Sequence, residues 1–222
     1  MWRLVSGSPA SAAATLHLAD NGFRAAVGRE SDRGPLLEFL EALRARGLLQ
    51  IAVDHILPDS SKAVEMELGA SEARSSLFYH DSAGRLTGLE FIQGQPKFMI
   101  NFGLRRENLR EVWLELLPAV EEPPGPPRWV VSGEGQFSQV PAVRRRVFED
   151  LRLSTAIPEG GFLLLGPTAV VYDLPYLARP FFIETDLTHR KKAASQRESV
   201  YVISPIIRSS QLRPGAPGVA AG

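Results

Sequence analysis

The fold turns on residues 97–117, KFMINFGLRRENLREVWLELL. In its first part Phe98, Ile100, Phe102 and Leu104 alternate with Lys97, Met99 and Asn101. That period of two is the mark of a strand with one buried face. From Asn108 onward two patterns overlap. Leu109, Val112 and Leu116 recur at helical spacing, while Val112, Leu114 and Leu116 alternate with Glu111, Trp113 and Glu115. Periodicity leaves both open, with a slight local lean towards helix.

Strand patterns continue on both sides. Val64, Met66 and Leu68 alternate with Glu65 and Glu67, and residues 77–79 and 86–92 flank His80-Asp81-Ser82-Ala83-Gly84, a hairpin with a glycine-containing loop. Further upstream, Ser31 and Asp32 offer caps, Pro35 suits a first helical turn, and Leu36, Leu37, Leu40 and Leu43 recur before Gly47. This predicts one helix over 35–46. Residues 48–57 read as a strand ended by Pro58-Asp59-Ser60-Ser61, and residues 16–27 as a strand or loop with Asn21-Gly22 as its turn.

Downstream, Glu121-Glu122-Pro123-Pro124-Gly125-Pro126-Pro127 is expected to be an exposed loop, because proline removes ladder donors and fixes φ. Residues 129–131, 147–156, 162–165 and 199–207 are strand candidates. The Pro/Gly/Ala-rich residues 211–222 are expected to form a disordered tail. The predicted class is a β-rich α+β fold with long antiparallel strands and one N-terminal helix. Its parts are a weakly defined segment 1–30, a domain over 31–210 and the tail.

Composition narrows function. Lys plus Arg and Asp plus Glu both number 25, so no net field recruits nucleic acid. Cysteine is absent, which removes disulfides, thiolate catalysis and cysteine-held metals. No apolar run reaches the ~18 residues of a spanning helix, whereas a β-barrel stays open, since its lipid face alternates with polar residues. Residues 1–20 lack the continuous apolar stretch of a secretory leader.

Catalytic patterns are weak. His17, His55, His80 and His189 are isolated, and Ser6-Gly7-Ser8 and Val131-Ser132-Gly133-Glu134-Gly135 lack the frame of a nucleophile elbow. Gly133-x-Gly135 has no third glycine and no Lys-Ser/Thr for phosphate. Arg144-Arg145-Arg146 and His189-Arg190-Lys191-Lys192 read as solvated surface. Neither an enzyme nor a bound cofactor or metal is expected.

A family resemblance emerges from the later motifs. Ile157-Pro158-Glu159-Gly160-Gly161 with Leu163-Leu164-Leu165-Gly166 resembles the gate-region strand of the bacterial secretins, the ring channels of type II and type III secretion and of pilus systems. Asp173-Leu174-Pro175-Tyr176-Leu177 followed by Pro180-Phe181-Phe182 resembles the family's Ile-Pro-x-Leu-Gly-x-Leu-Phe segment. Residues 198–207, ESVYVISPII, resemble its terminal apolar strand ending in Thr-Pro-Arg-Ile, with Ser204 and Pro205 at the Thr-Pro positions. Residues 112–120, VWLELLPAV, are similar to the family strand ending in Pro-x-Val, and in that register 108–117 is a strand. The resemblance spans about 36–209. It departs at Gly166-Pro167, where the family pairs two glycines, and at Ala178, where it has glycine.

The resemblance implies a secretin-type sheet in a non-enzymatic, homo-oligomeric outer-membrane channel subunit. Its partners would be copies of itself, secretion or pilus machinery and outer-membrane lipid. It implies gate-like roles for Pro158, Gly160, Gly161 and Gly166 and motif roles for Pro175, Leu177, Phe181 and Pro205. The residues alone also allow Gly160-Gly161 to be a tight turn before a buried strand. Phe181-Phe182 beside Tyr176 fit either an interfacial aromatic girdle or a packed core. A soluble β-rich scaffold derived from a secretin is the alternative function.

Overall fold

In the computed structural model, the residues described are 1–5, 7, 11–53, 63–69, 74–105, 107–131, 133, 136–186 and 195–207. The elements are α1 (Ala12–Asp20), β1 (Phe23–Gly28), α2 (Glu30–Ala45), β2 (Val64–Glu67), β3 (Arg74–His80), β4 (Leu86–Ile92), β5 (Gln95–Arg105), β6 (Asn108–Val131), β7 (Phe137–Val147), β8 (Leu153–Pro158), β9 (Phe162–Pro167), α3 (Arg179–Phe182), β10 (Ile183–Asp186), β11 (Ser195–Glu198) and β12 (Tyr201–Ile203). Strands dominate and pair antiparallel, so the β-rich α+β class stands.

The largest sheet runs β2-β5-β6-β7, with β8 also on β6. Its middle is the quoted stretch, and the ambiguous half is strand: Ile100 pairs with Leu116, Phe102 with Leu114 and Leu104 with Val112. Tertiary pairing overrides the helical spacing, because β5 and β8 supply ladders on both sides of residues 112–116. Phe98, Ile100, Leu114 and Leu116 turn inward and are buried.

A second sheet, β1-β9-β12, places β9 in the middle, where every residue from Phe162 to Pro167 is buried. Residues 1–30 thus supply a strand to the same sheet as the motif region. The two sheets are held together by aromatic packing. Phe98 of β5 meets Phe181 of α3 at 5.1 Å, and Phe23 of β1 meets Phe181 at 5.2 Å in an edge-to-face contact. Phe182 and Tyr201 close the cluster at 5.8 Å. Phe181 and Phe182 are therefore core residues, and the girdle alternative does not describe them.

Several expected boundaries move. Of residues 16–27, expected as strand or loop, 16–20 belong to helix α1, since the Ser11 hydroxyl accepts from Ala14 N at 3.3 Å and caps an alanine-rich turn, while the part from Phe23 onward is strand β1. The Asn21-Gly22 turn is present. Asn21 is buried but satisfied: its amide donates to the His17 and His80 carbonyls and its oxygen accepts from His80 N. The helix expected over 35–46 begins earlier, at Glu30, because Asp32 accepts from Arg29 N and starts the helix one turn before Pro35.

Residues 48–53 form no strand and have no ladder partner among the described residues, which leaves Leu48, Ile51 and Val53 exposed. Residues 54–57 and the tail 211–222 lie outside the described residues. The strand expected over 147–156 is broken by a 3-10 turn at Glu149–Leu151. There Phe148 donates to the Pro118 carbonyl and the chain steps along β6, from the β7 register to the β8 register. Of the strand expected over 199–207 only Tyr201–Ile203 pairs, since Pro205 cannot donate. β7 was not expected at all.

The main correction concerns the Pro-rich segment, which is strand. β6 runs through it as one 24-residue element, and the ladder to β7 bulges between Glu122 and Gly125 and again between Gly125 and Arg128. The four prolines have no N–H to give, so the register slips past them. Gly125, which has an N–H, is the one position between the bulges paired with β7, at Ala142.

Because Phe181 lies where both sheets and α3 meet, Phe181→Ala is expected to lower unfolding free energy by about 3–5 kcal/mol. Chemical denaturation should show this as a lower midpoint with little change in slope.

Candidate functional site

β5, β6 and β7 together build a hairpin that outgrows its sheet. β5 accompanies β6 only as far as Glu121, opposite Gln95, and beyond it only β7 does. The distal ribbon is two-stranded for roughly 30 Å. Near its end Trp129 and Val131 share a face by alternation, and Phe137 stands opposite Val131. Trp129 is 67% exposed and Phe137 72%.

At the base of the ribbon, on the solvent face of the sheet, sits a dense charge cluster. Lys97 Nζ is buried and lies 3.3 Å from Glu65, 3.2 Å from Glu67 and 3.3 Å from Glu121. Arg145 donates to Glu121 at 2.6 Å from Nε and lies 2.8 Å from Glu65 through Nη1. Burial pushes the Glu121 carboxyl up, but hydrogen bonds from Arg145 and Lys97 outweigh it, and the group titrates below its ordinary 4.5. Burial likewise opposes the charge on Lys97, yet its carboxylate partners hold it above the ordinary 10.5. A polar row continues beside it, with Asn101 donating to Glu115 and Arg152 paired to Glu115.

The sequence-named gate residues occupy the connection between the two sheets. Pro158 ends β8 opposite Glu111, and Gly161 N donates to the Pro158 carbonyl at 2.9 Å. Gly160 has φ +74°, a conformation that favours glycine, and a Cβ there would come within 3.0 Å of the Glu30 side chain. A Cβ on Gly161 would sit 2.8 Å from the Gly28 carbonyl oxygen. β8 and β9 belong to different sheets and do not pair with each other, so the segment is a turn between sheets rather than a hairpin.

Helix α2 grips this turn. Arg33 reaches the Gly161 carbonyl at 3.5 Å and Ser204 Oγ at 2.5 Å, and Ser204 also donates to the Gly161 carbonyl. Gly166, in β9 opposite Arg24, is where Trp2 packs. Pro175 and Leu177 bracket Phe78 of β3: Phe78 N donates to the Pro175 carbonyl and Leu177 N to the Phe78 carbonyl. Pro205 follows β12, half-buried. The structure thus gathers Gly160 and Gly161 with Ser204 next to Pro205, and sets Phe181 in the core between the sheets.

Of the isolated histidines, His17 Nε2 lies 3.8 Å from Asp150, whose carboxylate also takes the Tyr79 hydroxyl, and His80 stacks on Tyr176. His55 and His189 lie outside the described residues. Among the described residues no three histidine or carboxylate side chains converge as metal ligands, and no helix is long and apolar enough to cross a membrane.

Sequence reasoning missed Arg33, the distal apolar patch and the Lys97 cluster. Alternation had put Lys97 on the polar face, but Glu121 was assigned to a loop and so had no place in a sheet. Compared with protein-family models, curated proteins and solved structures, the chain matches none.

Replacing Lys97 with Met leaves three carboxylates facing one another. The expected loss is about 3 kcal/mol at neutral pH, part of which returns on acidification as the carboxylates protonate. The intact cluster behaves oppositely: with Glu121 held below its ordinary value, its contribution is full above the usual carboxylate range and fades as pH falls through the lowered value. Thermal melts from about pH 7 to pH 3 should therefore converge for wild type and Glu121→Gln. At the turn, Gly160→Val is expected to cost at least about 1–2 kcal/mol because a β-branched residue resists positive φ. A melting temperature equal to wild type would contradict that.

Proposed function

We propose that the chain is a secretin-like subunit, which joins copies of itself into a closed β-walled ring and serves as an outer-membrane channel in protein secretion or pilus assembly. The observation that carries this reading is the distal ribbon of β6 and β7. Among the described residues, neither strand has an outer partner there. Two strands alone are marginal in water, and exposed strand edges invite pairing. Copies placed side by side would set neighbouring ribbons next to one another and shield those edges.

The strand count favours lateral addition. β2, β5, β6 and β7 are four strands, each antiparallel to the next, so β2 and β7 run in opposite directions. A second copy added at either edge continues an antiparallel sheet without a fault, and a rotation that closes makes a ring. β7 has 11 residues, of which only 137–143 precede its three arginines, so the ribbon would enter hydrocarbon without supplying a full crossing of about 9–11 residues per strand. The uncharged, aromatic patch at Trp129, Val131 and Phe137 suits a lipid-facing end, and the charged face around Lys97 suits water. Pro158, Gly160, Gly161 and Gly166 would form the movable region, and Pro175, Leu177, Phe181 and Pro205 its packed support.

A second reading, a soluble β-scaffold without a pore, draws on one observation. β9 is buried along its length, and Arg33 and Ser204 hold the adjoining turn, which gives a gate no freedom in this conformation.

Purification of the full chain in detergent, followed by light scattering and vesicle reconstitution, separates the two. The channel reading expects ring-sized multimers that make vesicles leak. It also expects Phe137→Arg to weaken vesicle binding by about 2–4 kcal/mol if the position reaches the bilayer midplane. Stable monomers in detergent and vesicles that stay sealed would overturn it. Multimers that never permeabilise vesicles would favour the scaffold.

A further inference from the structure

The two open edges of the largest sheet carry opposite charge. On the face shared by Glu65, Lys97, Glu121 and Arg145, sign alternates strand by strand: Arg145 on β7, Glu121 on β6, Lys97 on β5, and Glu65 with Glu67 on β2. Within the cluster three carboxylates meet two cations. The surplus negative charge falls on Glu67, whose one ion-pair partner among the described residues is Lys97 and whose side chain is 67% exposed at the β2 edge. At the β7 edge the row ends on Arg145, while Arg144 and Arg146 alternate to the opposite face, across from Glu122 and Val120. Both of these arginines are exposed, and among the described residues neither has a carboxylate within salt-bridge reach. One edge of the row therefore ends acidic and the other basic, while the backbone groups at both edges have no ladder partner among the described residues.

Resting on the ring reading above, we infer that the occupant of each edge is a second copy of this chain, joined β7 edge to β2 edge, with Glu67 of one copy against Arg145 of the next. The contact is head-to-tail. Each join repeats the alternation inside the chain, so the charge row continues from copy to copy and closes with the ring. Sign also selects against wrong pairings: two β7 edges would oppose arginine to arginine, and two β2 edges glutamate to glutamate. Because a strand slipped by one residue turns its side chains to the other face, the same charges fix the register of the join. This assigns Arg145 of the Arg144-Arg145-Arg146 run, which sequence alone reads as solvated surface, to the join.

Charge reversal tests the seam on the full chain in detergent at low salt, where such contacts are least screened. Glu67→Lys is an exposed edge change that leaves the internal partners of Arg145 in place. It is expected to lower the assembled fraction at least about tenfold by light scattering. Arg145→Glu should do the same, and an equimolar mixture of the two should reassemble, since each seam in an alternating ring again pairs opposite signs. Circular dichroism checks that each variant is folded; should Arg145→Glu not fold, Glu67→Lys decides alone. Full assembly of Glu67→Lys, or a mixture of folded variants as dissociated as either one, overturns the seam and leaves the ring reading intact. A wild-type chain that never assembles overturns both.

Discussion

Everything in this molecule is arranged around the backbone hydrogen-bonding demand of β6. A strand of 24 residues presents far more N–H and C=O groups than a small sheet can pair. Near its start, residues 112–116 are served on both sides, by β5 and by β8. In the middle β7 replaces β8 on the same edge, and the 3-10 turn at Glu149–Leu151 is the detour that lets one chain segment serve β6 twice. Toward the end one partner is left. The molecule is thus graded along a single strand, from fully paired to half-paired.

The grading is also chemical. The fully paired part lies over the aromatic core, where Phe98 from the large sheet, Phe23 and Tyr201 from the small sheet and Phe181 from α3 interlock. At the transition the solvent face changes to charge, with buried Lys97 held by three carboxylates. An ion cluster of this kind adds little net stability once desolvation is counted, but it does punish misplacement. It stands where the register must be held before the ladder slips past the prolines. Beyond it Trp129, Val131 and Phe137 are large, apolar and exposed. A strand that changes from core-facing to charged to apolar along its length suits three surroundings in sequence.

The sequence made the half-buried strands legible because their alternation is strict: β2, β3, β4 and β5 follow from Val64-Met66, the HDSAG hairpin and Phe98-Ile100. It misled where one rule was applied without its partner. Four prolines in five positions do exclude a regular ladder, but a bulged edge tolerates them when a glycine restores the register, as Gly125 does. Residues 48–53 carry strand-type side chains and still form no strand, because a strand needs a neighbour that local pattern cannot supply. β7 escaped notice since Pro141 and three arginines hide its alternation. Of the candidate site, the positive φ at Gly160 could be anticipated from glycine itself. Arg33 could not, for its partners lie 128 and 171 residues away.

The Gly160-Gly161 turn and the distal ribbon are linked through β6 and β8. Pro158, at the end of β8, pairs with Glu111 of β6, and Glu159 N donates to the Arg110 carbonyl. Any change in the tilt of β6 is therefore applied directly to the residues that start the turn. On the other side the turn is tied to α2 through Arg33 and to the end of β12 through Ser204. Ordering of the half-paired ribbon by neighbours would pull on β6 at its far end. Between the ribbon and the turn lie the β5 ladder from Glu121 to Val112 and the Lys97 cluster, so the turn sits at the end of β6 remote from the ribbon. Within the secretin-like reading, movement of this turn would require Arg33 and Ser204 to release the Gly161 carbonyl first.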